Sequence, residues 1–282
     1  MNILYCGDNH IKDGLIISIL SLLHQVKTEL HIYVLTMKYS GFEPVNNTLI
    51  EELSRALKTY NPQNTIDLID ITELFKSNLP DANIDTRFTP YCMLRLYSDL
   101  IEELPAKILY LDTDVVCLKD PSSLYSMNNQ EYEVIGVYDY YGSHIYKKNM
   151  LIRNYMNSGV LLLNLKLIKK TKLFSKCRFE CKTKKMLLPD QAALNKYVTK
   201  KLIISSKYNE QHKEKKETVF RHFTTTFKFF PYFHTESIKP WNIEQLHQVL
   251  KVHSFDDVLV EYKEMIERLN NEKTNNTSIL YD

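Results

Sequence analysis

The first part of the chain alternates between two spacings of apolar residues. Short apolar runs predict strands at 2–7, 30–36, 65–69 and 107–111. Apolar positions at helical spacing predict helices at 15–23, 47–60 and 90–100, the last with a proline near its start. This order predicts a parallel sheet covered by helices on both faces. In such a sheet the ligand crevice lies beyond the carboxyl ends of the strands.

The pattern after residue 130 is less regular and contains a strongly basic stretch. Apolar runs predict strands at 134–138 and 160–163, and a helix follows at 190–197. Nine basic residues lie between Lys166 and Lys185, against the single acid Glu180. Such a run is most often a solvated helix face, and contact with an anionic membrane surface is the functional alternative. Nucleic acid is disfavoured as a partner, because the run has little aromatic interleaving and matches no known binding module.

The end of the chain predicts one more helix. Past Trp241, apolar residues recur at intervals of three and four, at Leu259, Tyr262, Ile266 and Leu269. The tail from Asn270 onward is polar, and we expect it to be frayed. No linker or internal repeat divides the residues before this segment.

The most informative motif is Asp112-Thr113-Asp114, which directly follows a buried-strand pattern at 108–111. If the backbone stays extended, the two carboxylates point to the same side, because strand side chains alternate. They would repel one another unless water or a divalent cation that prefers oxygen ligands neutralised them. The alternative is that the two aspartates merely begin a polar loop. By itself the motif does not decide between these two interpretations.

Composition narrows the class of protein. The apolar fraction of 44% and the charged fraction of 25% are ordinary for a globular protein. No apolar run approaches the length needed to cross a bilayer. The N-terminal residues lack the basic lead, apolar core and cleavage site of a secretory signal. We therefore expect a cytoplasmic protein, with peripheral binding at the inner face of the membrane if the basic stretch contacts lipid.

Glycine and cysteine usage disfavours several kinds of site. The six glycines form neither a dinucleotide-binding nor a P-loop motif, which disfavours dehydrogenases and P-loop enzymes. The five cysteines are scattered and fit no disulfide framework. Cys6 and Cys117 lie in apolar runs and are expected in the core. Cys177 and Cys181 can share a helix face, but no second ligand pair accompanies them, which disfavours structural zinc.

Six short motifs occur in order between Met1 and about Trp241: Tyr5-Cys6-Gly7-Asp8, Leu94-Arg95-Leu96, Tyr110-Leu111-Asp112-Thr113-Asp114, Asn157-Ser158-Gly159-Val160-Leu161-Leu162-Leu163-Asn164, Asp190-Gln191 and His222 to Lys228. Together they resemble glycosyltransferase family 8, retaining enzymes of GT-A fold that use a nucleotide sugar. The nearest resemblance is to bacterial lipooligosaccharide galactosyltransferases and glucosyltransferases. The resemblance implies an α/β protein whose GT-A domain, a single Rossmann-like mixed sheet flanked by helices, covers 1–241. A C-terminal helical extension and polar tail would cover 242–282.

The resemblance also implies a metal-diphosphate site. Asp112, Asp114 and His222 would bind Mn²⁺, with Mg²⁺ as an alternative, together with the donor diphosphate. Carboxylate oxygens and an imidazole nitrogen both suit manganese. Lys228 would neutralise the leaving diphosphate. Without the matching motif, His222 would be an ordinary packed or surface histidine and Lys228 a solvated lysine.

The remaining implied contacts concern the nucleotide and the sugar. The donor-binding residues carried over are Asp8, Asn9, Arg95, Asp112, Thr113, Asn157 and Lys228. Asp8 would bind the uracil edge, Arg95 the donor sugar or phosphate, and Asn157 the donor sugar. The ordinary alternatives are a helix-capping or loop role for Asp8 and an intrahelical ion pair for Arg95.

The implied catalytic residues are Gln191, Asp190 and Asp139. Gln191 would place its amide oxygen near the anomeric carbon, and Asp190 would bind sugar hydroxyls unless it caps the following helix. Asp139 would lie near the sugar hydroxyls and the acceptor. Two departures from the family pattern stand out. The segment 223–227 lacks the usual glycine and proline, and His10 replaces a ribose-contacting asparagine, for which Asn9 is the substitute.

The function implied is transfer of galactose or glucose from UDP-galactose or UDP-glucose to a saccharide acceptor. That acceptor would be lipid-linked, lipopolysaccharide-type or on a protein. One rival is a haloacid-dehalogenase-type phosphatase with Asp112 as nucleophile and Asp114 as acid, although that motif normally opens its chain. The other is a non-catalytic sugar-binding protein on the same scaffold.

Overall fold

The computed structural model describes residues 1–84, 90–139, 142, 154–228 and 234–278 of the chain. Its strands are β1 Asn2–Cys6, β2 His31–Thr36, β3 Thr65–Asp70, β4 Lys107–Leu111, β5 Val115–Cys117, β6 Val134–Tyr138, β7 Met156–Asn164, β8 Lys201–Ile204, β9 Phe220–His222, β10 Thr226–Lys228 and β11 His234–Glu236. Seven of these strands form one sheet in the order β3-β2-β1-β4-β7-β6-β8. Two small antiparallel pairs, β5 with β9 and β10 with β11, lie outside it.

Strand direction differs in one place from the parallel sheet that the alternating pattern predicts, and it agrees with the mixed sheet that the family resemblance implies. The neighbours β3, β2, β1 and β4 are parallel, as predicted. Strand β7 runs antiparallel to both β4 and β6, so the sheet is mixed. A continuous apolar run carries no signal of direction, because a strand buried on both faces has the same pattern either way. Because Leu111, the last residue of β4, pairs with Val160, the first four residues of β7 extend beyond the carboxyl end of β4.

The α-helices in the described ranges are α1 Lys12–Gln25, α2 Asn47–Tyr60, α3 Thr72–Lys76, α4 Ser122–Tyr125, α5 Leu165–Thr171, α6 Leu173–Thr183, α7 Pro189–Tyr197, α8 Ile243–Gln245 and α9 Asp256–Ser278. The helix predicted over 90–100 is present but wound as a 3₁₀ helix, Pro90–Leu100. Within it, the side chains of Arg95 and Ser98 bond to carbonyl oxygens three residues away, at Cys92 and Arg95. Such local bonds compete with regular α-helical pairing.

The strands bury apolar side chains on both faces, which divides the core into two layers. Ile3 and Tyr5 of β1 pack with residues of α1 and α9, whereas Leu4 packs with residues of the 3₁₀ helix and α6. Each large apolar side chain removed from water contributes roughly 1.5–3 kcal/mol. All five cysteines are free, and burial raises the pKa of Cys6 and Cys117, so both are protonated packing residues.

The C-terminal segment packs against the core layer that contains α1. The predicted amphipathic helix is α9, in which Leu259 and Leu269 are buried against the layer that contains α1. His24 of α1 bonds to both Asp257 and Glu261 of α9. The polar tail predicted to fray from Asn270 instead continues α9 as far as Ser278. No helix in the described part of the chain is long and apolar enough to cross a bilayer.

Candidate active site

Three predicted metal ligands meet at the carboxyl end of β4. The backbone does not stay extended there, because residues 112–114 form a turn closed by a hydrogen bond of 3.1 Å from Val115 N–H to the Asp112 carbonyl. The turn leads into β5, whose Val115 pairs with His222 at the end of β9. That pairing brings the histidine to the aspartates, so the convergence comes from β5–β9 pairing and not from strand alternation.

The three side chains lie within reach of one cation. His222 Nε2 is 3.1 Å from Asp114 Oδ1 and 3.7 Å from Asp112 Oδ2. Ligand atoms from all three residues lie within 4.8 Å of one another. Gly159 leaves the space that the imidazole fills, since a Cβ at that position would lie 2.1 Å from His222 Cε1. The donor set of two carboxylates and one imidazole fits a divalent metal such as Mn²⁺.

The other nitrogen of His222 is held by Asn209, a residue that the sequence did not single out. His222 Nδ1 lies 3.0 Å from Asn209 Oδ1 and donates to it, which leaves Nε2 as the ring nitrogen that faces the aspartates. Asn209 Nδ2 in turn donates to Asn157 Oδ1 at 2.8 Å. Hydrogen bonds to the second nitrogen of a ligating histidine fix its tautomer and ring orientation. Asn209 therefore joins the metal side of the site to Asn157.

The guanidinium of Arg95 lies between two carboxylates of the site, those of Asp112 and Asp190. Its guanidinium donates to Asp112 Oδ1 at 2.9 Å and to the Ser158 carbonyl, and its Nε lies 3.4 Å from Asp190 Oδ2. It also stacks on the ring of Tyr110 at 4.0 Å. The alternative of an ion pair within its own helix is therefore wrong. Burial raises the pKa of Asp190 above its usual value, and the charge of Arg95 offsets part of that rise.

The three predicted catalytic residues form one hydrogen-bonded group. Gln191 Nε2 donates to Asp139 Oδ2 at 2.9 Å, and Asn157 Nδ2 donates to the same oxygen at 3.2 Å. The amide oxygen of Gln191 accepts from Ser158 N–H at 2.9 Å. Asp190 lies in the first turn of α7 but does not cap it, since the N-cap position is Leu188. The structure thus brings together Asp139, Asn157 and Gln191, which are predicted to lie at the sugar, and Ser158 N–H occupies the Gln191 amide oxygen.

The predicted nucleotide side lies at the end of β1, beside β4. Asp8 is buried, and its carboxylate caps a short 3₁₀ turn by accepting from His10 N–H at 3.1 Å and His10 Nδ1 at 2.8 Å. The capping role named as the alternative is therefore what the structure shows for Asp8. Asn9 is exposed, and the carbonyl of Thr113 faces α1 at Gly14, where a Cβ would lie 2.6 Å from that oxygen. Uracil and ribose contacts by these residues remain predictions.

Lys239 is the second functional candidate that the sequence analysis missed. Its Nζ donates to Asp114 Oδ2 at 2.6 Å and to the Phe223 carbonyl at 2.7 Å. Burial alone would raise the pKa of Asp114, but Lys239 and His222 outweigh it and hold that pKa well below its usual value. Lys228, the predicted diphosphate ligand, ends β10, and its side chain lies outside the described part of the structure. Neither periodicity nor a motif marks Lys239.

Comparisons with solved structures identify the fold. An active-site mutant of LgtC superposes with a TM-score of 0.70 at 16% identity, covering 95% of this chain and 96% of that one. LgtC, a galactosyltransferase, in complex with donor and acceptor sugar analogues gives a TM-score of 0.64 at 17% identity, covering 94% and 95% of the two chains. At this identity the likeness shows the fold alone, and it confirms the GT-A architecture.

Comparisons of sequence identify the family. General stress protein A of Bacillus subtilis is 25% identical over 171 residues, covering 58% of this chain and 56% of its own. A protein of Haemophilus influenzae is also 25% identical, over 183 residues, covering 62% of this chain and 52% of its own. The chain thus spans about half the length of the curated relatives it matches. The profile of glycosyl transferase family 8 matches residues 2–245, and the chain belongs to that family.

Proposed function

We propose that this protein is a retaining hexosyltransferase that transfers galactose or glucose from a UDP-sugar to a saccharide acceptor and requires Mn²⁺. The observation that carries the proposal is the joining of two groups by Asn209. On one side lie the ligand atoms of Asp112, Asp114 and His222, and on the other lies the polar group that contains Asn157. A metal-bound diphosphate and a sugar can occupy adjacent halves of such a site.

The metal half fits a nucleoside diphosphate leaving group. Asp112, Asp114 and His222 would hold the ion, which when bound supplies electrostatic stabilisation of negative charge on the departing diphosphate. Lys239 neutralises Asp114 through the oxygen that faces away from His222. Lys228 is our proposed second cation for the leaving group. Mg²⁺ is the alternative ion, because the ligand set contains two hard carboxylates.

The sugar half supports a front-face reaction. Asp139 is bound by two amide groups, and Asp190 by Arg95 and the Ser158 hydroxyl, so both carboxylates are committed to neighbours. The amide oxygen of Gln191 can stabilise an oxocarbenium-like state but is a poor covalent nucleophile. We infer that retention proceeds by attack of the acceptor on the same face from which the diphosphate departs, as the family resemblance implies.

We propose a cytoplasmic location with peripheral membrane contact through the basic stretch. Helix α6 buries Cys177 and Cys181 while it exposes lysines on the opposite side, and Phe179, 65% exposed, lies among them. Lysines attract anionic lipid, and an exposed aromatic ring can enter the interface. This arrangement fits an acceptor that is carried on lipid, among the saccharide acceptors considered.

Sedimentation with vesicles tests the membrane contact. We expect binding to anionic vesicles at low salt, weakened by salt and by the double variant Lys176→Glu/Lys182→Glu. Lys58→Glu, a charge reversal on the exposed face of α2, serves as the matched control and is expected to bind normally. No affinity of the wild-type protein for anionic vesicles at low salt would contradict membrane contact.

A donor-hydrolysis screen tests the enzymatic proposal. UDP- and GDP-sugars are incubated with the protein with and without Mn²⁺, and release of the nucleoside diphosphate is measured. We expect turnover of UDP-galactose or UDP-glucose that depends on the metal and is lost in Asp114→Asn. Release of phosphate from a phosphomonoester without sugar-nucleotide turnover would favour the phosphatase alternative. A metal-replete protein that neither transfers nor hydrolyses any sugar nucleotide would favour a binding protein.

A further inference from the structure

A second cluster of metal-ligating side chains lies beyond the family match, which ends at residue 245. His247 Nε2 lies 2.8 Å from Asp256 Oδ1, and His253 Nδ1 lies 3.0 Å from Asp256 Oδ2. Ligand atoms from all three residues lie within 4.8 Å of one another. The cluster is distinct from the candidate active site, because it shares no residue with that site and belongs to the C-terminal segment.

The backbone brings these side chains together over a short loop. His247 lies in a single π-helical turn, Leu246–Leu250, and Lys251 then adopts a left-handed conformation with φ of 54°. The N–H groups of Lys251 and Val252 both bond to the Leu246 carbonyl, which closes the reversal. A non-glycine residue with positive φ persists only where the surrounding structure requires it. The reversal returns His253 to His247 immediately before α9 begins.

The imidazole rings of His247 and His253 stack on one another. Their centroids are 4.4 Å apart with an interplanar angle of 25°. Each ring directs a nitrogen at a different oxygen of the same carboxylate. A divalent cation placed between these nitrogens and Asp256 would take one ligand atom from each of the three side chains.

We propose that His247, His253 and Asp256 form a binding site for a divalent transition metal of the Zn²⁺ class. Two imidazole nitrogens and one carboxylate oxygen make a borderline ligand set that suits Zn²⁺, Ni²⁺ or Co²⁺ better than Mg²⁺. All three side chains are partly exposed, so water can complete the coordination shell. This ligand set has one more nitrogen and one fewer carboxylate than the candidate active site. The two sites would therefore prefer different ions.

Bound metal would fasten the π-helical turn to the first residue of α9. Helix α9 is itself held to α1 by His24, which bonds to Asp257 and Glu261. The ion would thus join two parts of the C-terminal segment and, through α9, support its packing on the domain. The expected role is structural, since the cluster shares no contact with Asp112 or its neighbours in the described part of the chain.

Cobalt titration of the full chain tests the proposal, with visible absorption and calorimetry as readouts. We expect two classes of site in the wild-type protein. His253→Ala should weaken one class by at least about tenfold and leave the other, and Asp114→Asn should do the reverse. His31→Gln, which alters a histidine on β2 away from both clusters, is the matched control and should retain both classes.

Two further measurements make the result decisive. His253 is 59% exposed, so we expect His253→Ala to fold normally by circular dichroism and to retain wild-type donor hydrolysis. In the Asp114→Asn protein, Zn²⁺ should raise the melting temperature, and His253→Ala in that background should abolish the rise. A single class of site that Asp114→Asn removes and His253→Ala leaves unchanged would overturn the proposal, whatever the outcome of the hydrolysis screen.

Discussion

The chain carries two groups of histidine and aspartate with similar chemistry and opposite construction. Asp112, Asp114 and His222 come from distant parts of the sequence and meet only because β5 pairs with β9. His247 and Asp256 are close in sequence and meet across one short loop. The side chain of His222 is 5% exposed, whereas that of His247 is 31% exposed.

The two groups also differ in what holds them in place. His222 is fixed on one side by Asn209 and on the other by the space that Gly159 leaves. In the C-terminal group the histidines are held mainly by Asp256 and by each other. A buried and preorganised site holds its ligands in place before the ion arrives, which lowers the cost of binding. The comparison therefore predicts that changes around the first group affect function strongly and that changes in the second do not.

The largest effect is expected at the acidic ligands themselves. Asp114→Asn or Asp112→Asn should lower the rate of sugar transfer by at least about a hundredfold, because stabilisation of the leaving diphosphate is lost. Steady-state transfer at limiting Mn²⁺ measures the effect, and His253→Ala is the control that should transfer normally. Near-wild-type transfer by either aspartate variant at limiting Mn²⁺ would contradict the assignment of these aspartates as metal ligands.

A smaller effect is expected at Asn209, which does not bind the metal but is hydrogen-bonded to the candidate ligand His222. Asn209→Ala should lower Mn²⁺ affinity by about 10- to 100-fold, since His222 loses the acceptor that fixes its tautomer. Asn209→Asp keeps that acceptor but removes the donor to Asn157, so it should retain Mn²⁺ affinity and raise the KM for the sugar nucleotide. Electron paramagnetic resonance of free Mn²⁺ measures the affinity without turnover. Equal Mn²⁺ affinity in wild type and Asn209→Ala would show that the hydrogen bond does not position the histidine.

The sequence predicted most of the frame that carries this site. The helix predicted over 47–60 has the observed bounds of α2, and the strand predicted over 107–111 is β4. These segments have strong periodic patterns, which depend only on local residues. The apolar pattern alone did not predict the direction of β7, because a nine-residue strand with eight buried residues looks the same in either direction. The mixed sheet was predicted only through the family resemblance. The 3₁₀ winding of Pro90–Leu100 depends on side-chain bonds to the backbone that periodicity does not show.

The sequence predicted only those site residues that belong to a motif. Asp112, Asp114 and His222 were named from the family resemblance, and the structure brings their ligand atoms together. Asn209 and Lys239 were not named, because each acts through one contact made by tertiary folding. An isolated asparagine or lysine has no signature in a single sequence. The residues around a ligand are therefore harder to predict than the ligand itself.

Gly159 allows a test of how closely the first group is packed. Gly159→Ala would place a Cβ 2.1 Å from His222 Cε1 and 2.9 Å from Asp112 Oδ2, so the imidazole must move. We expect a loss of about 1–3 kcal/mol in the free energy of unfolding, with weaker Mn²⁺ binding. Urea denaturation in the presence of a chelator measures the first quantity and metal titration the second. Wild-type stability together with wild-type Mn²⁺ affinity would mean that the site is looser than these distances indicate.

The smallest effect is expected in the C-terminal group when metal is absent. His253 is 59% exposed and bonds to the half-exposed Asp256, and exposed ion pairs contribute little. In chelator, His253→Ala should therefore change the free energy of unfolding by under about 1 kcal/mol. Asn209→Ala should cost about 1–3 kcal/mol in the same urea experiment, because the buried Nδ1 of His222 loses its acceptor and Asn157 Oδ1 loses one of its two donors. Equal losses in the two variants would contradict the distinction between a buried, preorganised group and a local, exposed one.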